Sequence, residues 1–332
     1  MAFVAVITDH DFPNLDDEEE VLRPAGIELR VANAKDRRGF LADVGAADAL
    51  MNEYAPVDAA TIGAAQRCLA IVRYGVGVDT IDMEAATKAG ICVANVPDYG
   101  TNEVALHAFS LLLAVHRRLR TYDTALRAGR WMVGPAVTPP IRRIRGLTLG
   151  IVGFGRIGRA VAAYAAPLGM HLLTYDPYIS RTAAGEAGAA LVDYATLLRQ
   201  SDMLSFHAPL GSETRHLLGE DEIRTLKPTA IVVNTSRGAV IDTAALARAL
   251  REGRLAGAGL DVFEGEPLAA DHPLRETPNT ILTPHVAWYS EEARRALKRS
   301  VAEEVVRVSR GEWPRSLVNT DVRPHARLAR GR

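Results

Sequence analysis

Three polar residues in the C-terminal half occupy the same kind of position, just past a short apolar run. They are Arg237 in "NTSRGAVID", Glu266 in "DVFEGEP" and His285 in "LTPHVAWYS". Their types complement one another. A guanidinium holds a carboxylate through forked, charge-assisted hydrogen bonds. An imidazole titrates near neutrality and can give or take a proton. A carboxylate beside that ring orients it and favours its charged form. Such a set suits a 2-oxo acid, with Arg237 on the carboxylate and ketone side and His285 as proton donor to the ketone oxygen. In oxidation the same histidine acts as base. Each residue taken singly has a plainer reading: a surface charge, a Glu-Pro turn, a satisfied core histidine.

The reduction also needs a hydride, and "GFGRIG", Gly153 to Gly158, points to its source. The motif follows an apolar run and opens a helical pattern. Gly153 permits the tight turn, Gly155 lets backbone approach a pyrophosphate, and Gly158 lets helix and strand pack closely. Arg156 and Ile157 begin the helix, whose free N–H groups and dipole face the phosphates. The next strand-like run ends in Asp176, eighteen residues after Gly158, where an acid accepts hydrogen bonds from a ribose. A carboxylate there repels a 2′-phosphate, so NAD is expected over NADP. The alternative is a glycine turn with no ligand. The complete strand–turn–helix–strand–acid order favours the dinucleotide.

The elements that must hold these residues are parallel strands, because the carboxyl ends of an open parallel sheet line its ligand crevice. Val4–Asp9, Ile27–Ala32, Cys68–Gly75 and Ile91–Pro97 read as one series of buried strands. Leu147–Gly155, His171–Asp176, Asp202–Pro209, Ala230–Ser236, Ala256–Phe263 and Thr280–Pro284 read as a second. Helical patterns between them imply an α/β fold. One long helix is expected from an N-cap at Thr101 to about Arg127, with Val104, Ala108, Leu111, Leu112, Val115 and Leu119 on one face. A C-terminal helix should start after an N-cap at Ser290, and the basic tail "RPHARLARGR" should be a frayed, solvated end.

Bulk properties limit the partners. The 332 residues suffice for two domains, and a net charge of -1 gives no global field for nucleic acid or anionic membrane. The longest apolar run, Phe109–Val115, is too short to span a bilayer. Cys68 and Cys92 read as buried thiols rather than metal ligands, so a reducing, cytoplasmic setting without a metal site is expected.

Five ordered motifs together resemble the D-isomer-specific 2-hydroxyacid dehydrogenases: "GIVGFGRIG", "HAPLGSET", "VNTSRGAVID", "GAGLDVFEGEP" and "LTPHVAWYS". Upstream, "RYGVGVDTIDMEAATKAGICVANVPDYGTNEVALHAF" fits the same family, and the likeness runs from about Val4 to Asn319. Within it, "AWYS" most resembles the C-terminal-binding-protein branch, which includes corepressors as well as bacterial dehydrogenases. The resemblance implies two Rossmann-like or flavodoxin-like doubly wound domains. The NAD-binding domain, 101–287, is inserted in a substrate domain made of 1–100 and 288–332.

It further implies that Arg237 binds substrate, that His285 is the acid/base and that Glu266 is its partner. Cofactor contacts are implied for Thr101, His207, Pro209, Thr214, Thr235, Ser236 and Asp261, the last at the nicotinamide carboxamide. The "VGVD" loop, with Val76 and Gly77, would offer backbone N–H groups to the substrate carboxylate, while Arg73 and Trp288 would flank the substrate side chain. Such a pocket suits glyoxylate, hydroxypyruvate or an unbranched apolar 2-oxo acid. A homodimer is implied through "TNEVALHAF" and the arm after Trp131. Three rivals stay open: an NAD(H)-sensing corepressor-like protein, a phosphoglycerate dehydrogenase, and a dehydrogenase of another small anion such as phosphite or formate. The formate branch carries glutamine where Glu266 stands.

Overall fold

The computed structural model describes residues 2–32, 36–132 and 140–330. The arm expected to carry part of a dimer contact falls largely on 133–139, outside the described residues. The chain divides into two compact units, one of Met1–Gly100 with Ser290–Arg332 and one of Thr101–Tyr289. Trp288 falls in the second unit.

The first unit is built on five parallel strands: β1 (Phe3–Ile7), β2 (Ile27–Val31), β3 (Ala49–Asn52), β4 (Ala70–Arg73) and β5 (Cys92–Ala94). Their order is β2-β1-β3-β4-β5, the doubly wound flavodoxin-like order, which reverses between β1 and β3. Strands β1, β3 and β5 are buried throughout, as helices on both faces of a parallel sheet require. The intervening helices start where aspartates cap them: Asp58 accepts from Thr61 N at 2.8 Å and Asp82 from Ala85 N at 2.9 Å. The C-terminal helix Glu291–Ser309 has the expected Ser290 cap and buries Leu297, Val301, Val305 and Val308. Both cysteines are buried free thiols, and burial pushes them up to about 12 for Cys68 and about 11 for Cys92.

The tail departs from expectation. It forms 3₁₀ turns over Thr320–His325 and Arg327–Arg330 and buries Val322, Ala326 and Leu328. Arg327 donates its backbone N–H to Gly90 O at 2.8 Å, and its guanidinium reaches the carbonyls of Ala65, Gln66 and Cys68. Those carbonyls lie just past the helix Ala59–Ala64, where a cation satisfies acceptors the helix leaves over.

The second unit holds seven parallel strands: β6 (Thr148–Val152), β7 (His171–Tyr175), β8 (Ala190–Leu191), β9 (Met203–Phe206), β10 (Ile231–Asn234), β11 (Gly257–Leu260) and β12 (Thr280–Leu282). Their order is β12-β11-β10-β9-β6-β7-β8, the dinucleotide-binding order with one more strand, reversing between β6 and β9. Most expected strands end earlier than their apolar runs. The last residues of those runs, such as Gly153–Gly155 and His207–Pro209, form loops at the sheet's carboxyl edge instead. The single long helix is two, Thr101–His116 and Leu119–Arg127, because Arg118 adopts φ +55° and turns the chain. Leu119 is exposed as a result, while Ala108, Leu111, Leu112 and Val115 keep the buried face. The first of these helices begins at Thr101 itself. Among the described residues, no helix is long and apolar enough to cross a membrane, and no His, Cys, Asp and Glu group could hold a metal ion.

Candidate active site

The glycine turn joins β6 to the helix Arg156–Ala165. Gly153 has φ +83°, and a Cβ there would lie 2.7 Å from Ala208 N, backbone against backbone. A Cβ on Gly158 would strike Gly153 O. Gly155 is the opposite case: nothing lies within 4 Å of a Cβ built on it, so the turn presents an open face. Arg156 is exposed in the helix's first turn and Ile157 is half-buried. Asp176, just past β7, accepts from Phe154 N at 2.8 Å and Tyr178 N at 2.9 Å. It therefore braces the glycine turn, and each carboxylate oxygen retains acceptor capacity.

Two polar atoms at this edge of the sheet are buried without a partner, Oγ1 of Thr235 after β10 and Nδ1 of His207 after β9. Burial pushes the His207 ring down to about 3, so it is neutral, and its Nε2 lies 2.8 Å from Ser205 Oγ. Orphaned groups of this kind call for a ligand or water. Together with the open Gly155 face, the helix N-terminus and Asp176, they fit a dinucleotide. Other expected cofactor residues are already engaged in shaping loops. Thr214 Oγ1 donates to Pro209 O at 2.7 Å and accepts from Gly211 N at 2.8 Å. Ser236 donates through N and Oγ to Asn234 Oδ1 at 2.9 and 2.8 Å.

The three residues expected to act in catalysis, Arg237, Glu266 and His285, lie beyond β10, β11 and β12. His285 Nδ1 is 2.7 Å from Glu266 Oε2, and Glu266 Oε1 accepts from Phe263 N at 2.9 Å. Burial pushes the Glu266 carboxyl upward, but the bond and charge of His285, the Phe263 N–H and the charge of Arg237 outweigh it and hold it below its ordinary value. Glu266 is thus a carboxylate at neutral pH. Replacing it with glutamine should leave partial activity and move the pH profile of reduction toward lower pH, because no negative charge then supports the protonated ring. Steady-state rates across pH measure this, and an unmoved profile counts against the pairing.

A brace that the sequence did not reveal fixes the histidine's backbone. His285 has φ +55°, uncommon for a residue with a side chain. Asp261 holds it there. His285 N donates to Asp261 O at 2.8 Å, while Val286 N, Ala287 N and Thr283 Oγ1 donate to its carboxylate at 3.0, 2.9 and 2.6 Å. His107 Nε2 lies 3.0 Å from Thr283 Oγ1. The buried carboxylate assigned to the cofactor by resemblance is thus a structural support of the histidine loop. Trp288, further along that loop, meets Tyr289 edge to face at 5.6 Å.

Arg237 is half-buried, with Nη1 donating to Ser236 O at 2.8 Å. Its carbonyl accepts from Asn234 Nδ2 at 2.9 Å. The next residue, Gly238, meets the Phe263–Glu264 backbone so closely that any Cβ would overlap it. This contact brings the arginine turn against the turn carrying Glu266. Glu264, the other glutamate of "DVFEGEP", fixes that turn: it bonds His216 Nε2 at 2.6 Å and Thr243 N at 3.1 Å.

In the first unit, Arg73 ends β4 and its Nη1 donates to Tyr74 O. Gly75 has φ +132°, and a Cβ there would collide with the Arg73 guanidinium. Asn95 Nδ2 donates to Val76 O at 2.6 Å and Val96 N to Gly75 O at 3.0 Å, which fixes the loop that leads into Gly77.

Known proteins resemble this chain in sequence and in fold. Residues 109–287 match the family model described as D-isomer specific 2-hydroxyacid dehydrogenase, NAD binding domain. A glyoxylate reductase of Thermococcus litoralis is 45% identical over 270 residues, 80% of this chain and 81% of that protein. A D-3-phosphoglycerate dehydrogenase of Archaeoglobus fulgidus is 37% identical over 301 residues, 90% of this chain but 56% of that protein. The crystal structure of D-lactate dehydrogenase from Aquifex aeolicus, complexed with NAD and lactic acid, superimposes with a TM-score of 0.84 at 28% identity, covering 93% of this chain and 96% of that one.

Proposed function

Because the chain belongs to the D-isomer-specific 2-hydroxyacid dehydrogenase family and is an NAD-dependent 2-hydroxyacid oxidoreductase, we propose that it works as a reductase of small 2-oxo acids, glyoxylate first among them. The observation that carries the reading is the His285–Glu266 pair, 2.7 Å apart at the same sheet edge as the glycine turn. A dinucleotide held at that turn would supply the hydride from its nicotinamide. Arg237 binds the substrate's carboxylate and ketone side, His285 delivers the proton to the ketone oxygen, and Glu266 keeps the ring oriented and charged. Gly153, Gly155, Gly158 and Asp176 hold the dinucleotide. Arg73, Val76 and Gly77 are assigned to the substrate by the family resemblance alone.

NADH oxidation followed with a panel of 2-oxo acids tests this. Turnover of glyoxylate or hydroxypyruvate is expected. Exclusive turnover of phosphohydroxypyruvate would favour a second reading, supported by the likeness to a phosphoglycerate dehydrogenase. Tight NADH binding with no turnover at all would favour an NAD(H)-sensing binding protein. Asp176→Ala should weaken NADH binding and lessen discrimination against NADPH, read as the ratio of kcat/KM for the two cofactors. A wild-type preference for NADPH would overturn the assignment of Asp176.

The proposed assembly is a homodimer through the second unit. Leu106, Leu119, Leu126 and Trp131 are all exposed on its N-terminal helices and the stretch after them. Exposed apolar side chains of this size suit a protein–protein contact if they form one patch. Light scattering should give twice the mass of one chain, and Leu106→Glu with Leu126→Glu should halve it. A wild-type monomer would contradict the assembly.

A further inference from the structure

The turn that carries Glu266 is held by side chains rather than by main chain. Among the described residues, no backbone-to-backbone hydrogen bond involves Phe263 to Leu268. Within the turn, Glu266 Oε1 accepts from Phe263 N at 2.9 Å, and at its far end Arg275 Nη2 donates to Leu268 O at 2.7 Å. Glu264 supplies the tie to the neighbouring loops. Its Oε2 accepts from Thr243 N at 3.1 Å, and its Oε1 lies 2.6 Å from His216 Nε2. Thr243 opens the helix Thr243–Arg251, six residues after Arg237, and is buried. His216 belongs to the loop after β9 and adopts φ +51°, a conformation that persists only where the surroundings enforce it. Its N donates to Ala239 O at 2.8 Å, and Leu218 N to Val240 O and Asp242 N to Leu218 O continue the pairing at 3.2 and 3.0 Å. One carboxylate thus joins the loops that follow β9, β10 and β11. Burial pushes the Glu264 carboxyl up, but the bonds from His216 and Thr243 outweigh it and hold it below its ordinary value. The Arg215 guanidinium also faces it, 3.9 Å from Oε1.

We propose that Glu264 is the positioning residue of the proton-transfer pair: by fixing the turn Phe263–Leu268 to His216 and Thr243, it sets where Glu266 meets His285. This rests on the reading of His285 as acid/base and Glu266 as its partner. The close approach of Gly238 to the Phe263–Glu264 backbone brings the two turns together, but a packing contact has no direction, whereas hydrogen bonds do. Arg237 does not depend on this tie. Asn234 fixes its turn, donating from Nδ2 to Arg237 O at 2.9 Å and accepting at Oδ1 from Ser236 N and Oγ at 2.9 and 2.8 Å. Losing the bonds of Glu264 therefore loosens Glu266 and leaves the substrate-binding arginine in place. Proton transfer suffers and substrate affinity does not.

The test compares Glu264→Ala, Glu264→Gln and His216→Ala with the wild type in glyoxylate reduction, with rates expressed per NADH-binding site so that unfolded chains do not count. Glu264→Ala should lower kcat by about ten- to a hundred-fold, the usual cost of a small misplacement of reacting groups, and leave KM for glyoxylate in place. Its pH profile should move toward lower pH, the direction expected of Glu266→Gln, because the ring then has less negative charge beside it. Glu264→Gln should recover most of kcat, since an amide oxygen can accept from Thr243 N while the amide N–H donates to His216 in its other tautomer. His216→Ala keeps the Thr243 bond and should fall between. Wild-type kcat and pH profile in Glu264→Ala would overturn the proposal, and so would a fall in kcat with an unmoved profile, the mark of a purely structural role. Should Glu264→Ala not bind NADH, a wild-type kcat and profile in His216→Ala would overturn it instead. Absence of wild-type turnover with every 2-oxo acid would refute the functional reading itself, a different outcome from an active enzyme indifferent to Glu264.

Discussion

Replacing His285 with alanine should lower kcat for glyoxylate reduction by about a hundred- to ten-thousand-fold, the usual contribution of a positioned acid or base. NADH affinity should survive. The glycine turn and Asp176, proposed to hold the cofactor, lie apart from the imidazole's hydrogen bond, which runs to Glu266 at 2.7 Å. The backbone at 285 should also survive, because Asp261 holds it through main-chain groups: His285 N, Val286 N and Ala287 N at 2.8, 3.0 and 2.9 Å. Single-turnover rates with NADH fluorescence titration separate the two effects. Loss of NADH binding in step with turnover would mean that the histidine supports the fold rather than moving a proton.

The second large effect is expected at Arg237. Truncation to alanine removes a forked cation from an anionic substrate, and charged hydrogen bonds of this kind contribute about 3 kcal/mol. That corresponds to a loss of roughly a hundred-fold or more in kcat/KM. Arg237→Lys should recover only part of it, because an ammonium keeps the charge but not the fork. A second signature follows from the site's electrostatics. The charge of Arg237 is one of the influences holding Glu266 below its ordinary value, and that influence disappears with the guanidinium. The acidic limb of the pH–rate profile should therefore move up in Arg237→Ala. A variant with normal KM and an unmoved limb would show that Arg237 faces neither the substrate nor Glu266.

Much of this was readable before any coordinates. Arg237, Glu266 and His285 each follow an apolar run, and a parallel sheet gathers the ends of such runs at one edge. The "GFGRIG" turn was legible for the same reason, since steric demands on Gly153 and Gly158 are local. What stayed hidden depended on distant partners. Nothing around Asp261 in the sequence signals that Thr283, Val286 and Ala287 would share its carboxylate. Glu264 of "DVFEGEP" carried no sign that it would meet His216 while Glu266 met His285. β8 is two residues long, too short for a periodic signal, and β3 is four residues ending in the polar Asn52. The helix break at Arg118 carries neither glycine nor proline, so no local residue announces it. The tail looked solvated because Ala326 and Leu328, the apolar residues buried among its described residues, are spaced between cations, one of which reaches backbone carbonyls.

The most direct test of the central claim is the fate of the hydride. Glyoxylate is incubated with NADH deuterated at the transferred position of nicotinamide C4, and the product is read by NMR. Glycolate carrying one deuterium at C2, formed in proportion to NADH consumed and nearly abolished in His285→Ala, is the predicted result. Glyoxylate recovered unchanged beside tightly bound, unoxidised NADH, with hydroxypyruvate and phosphohydroxypyruvate equally inert, would contradict it.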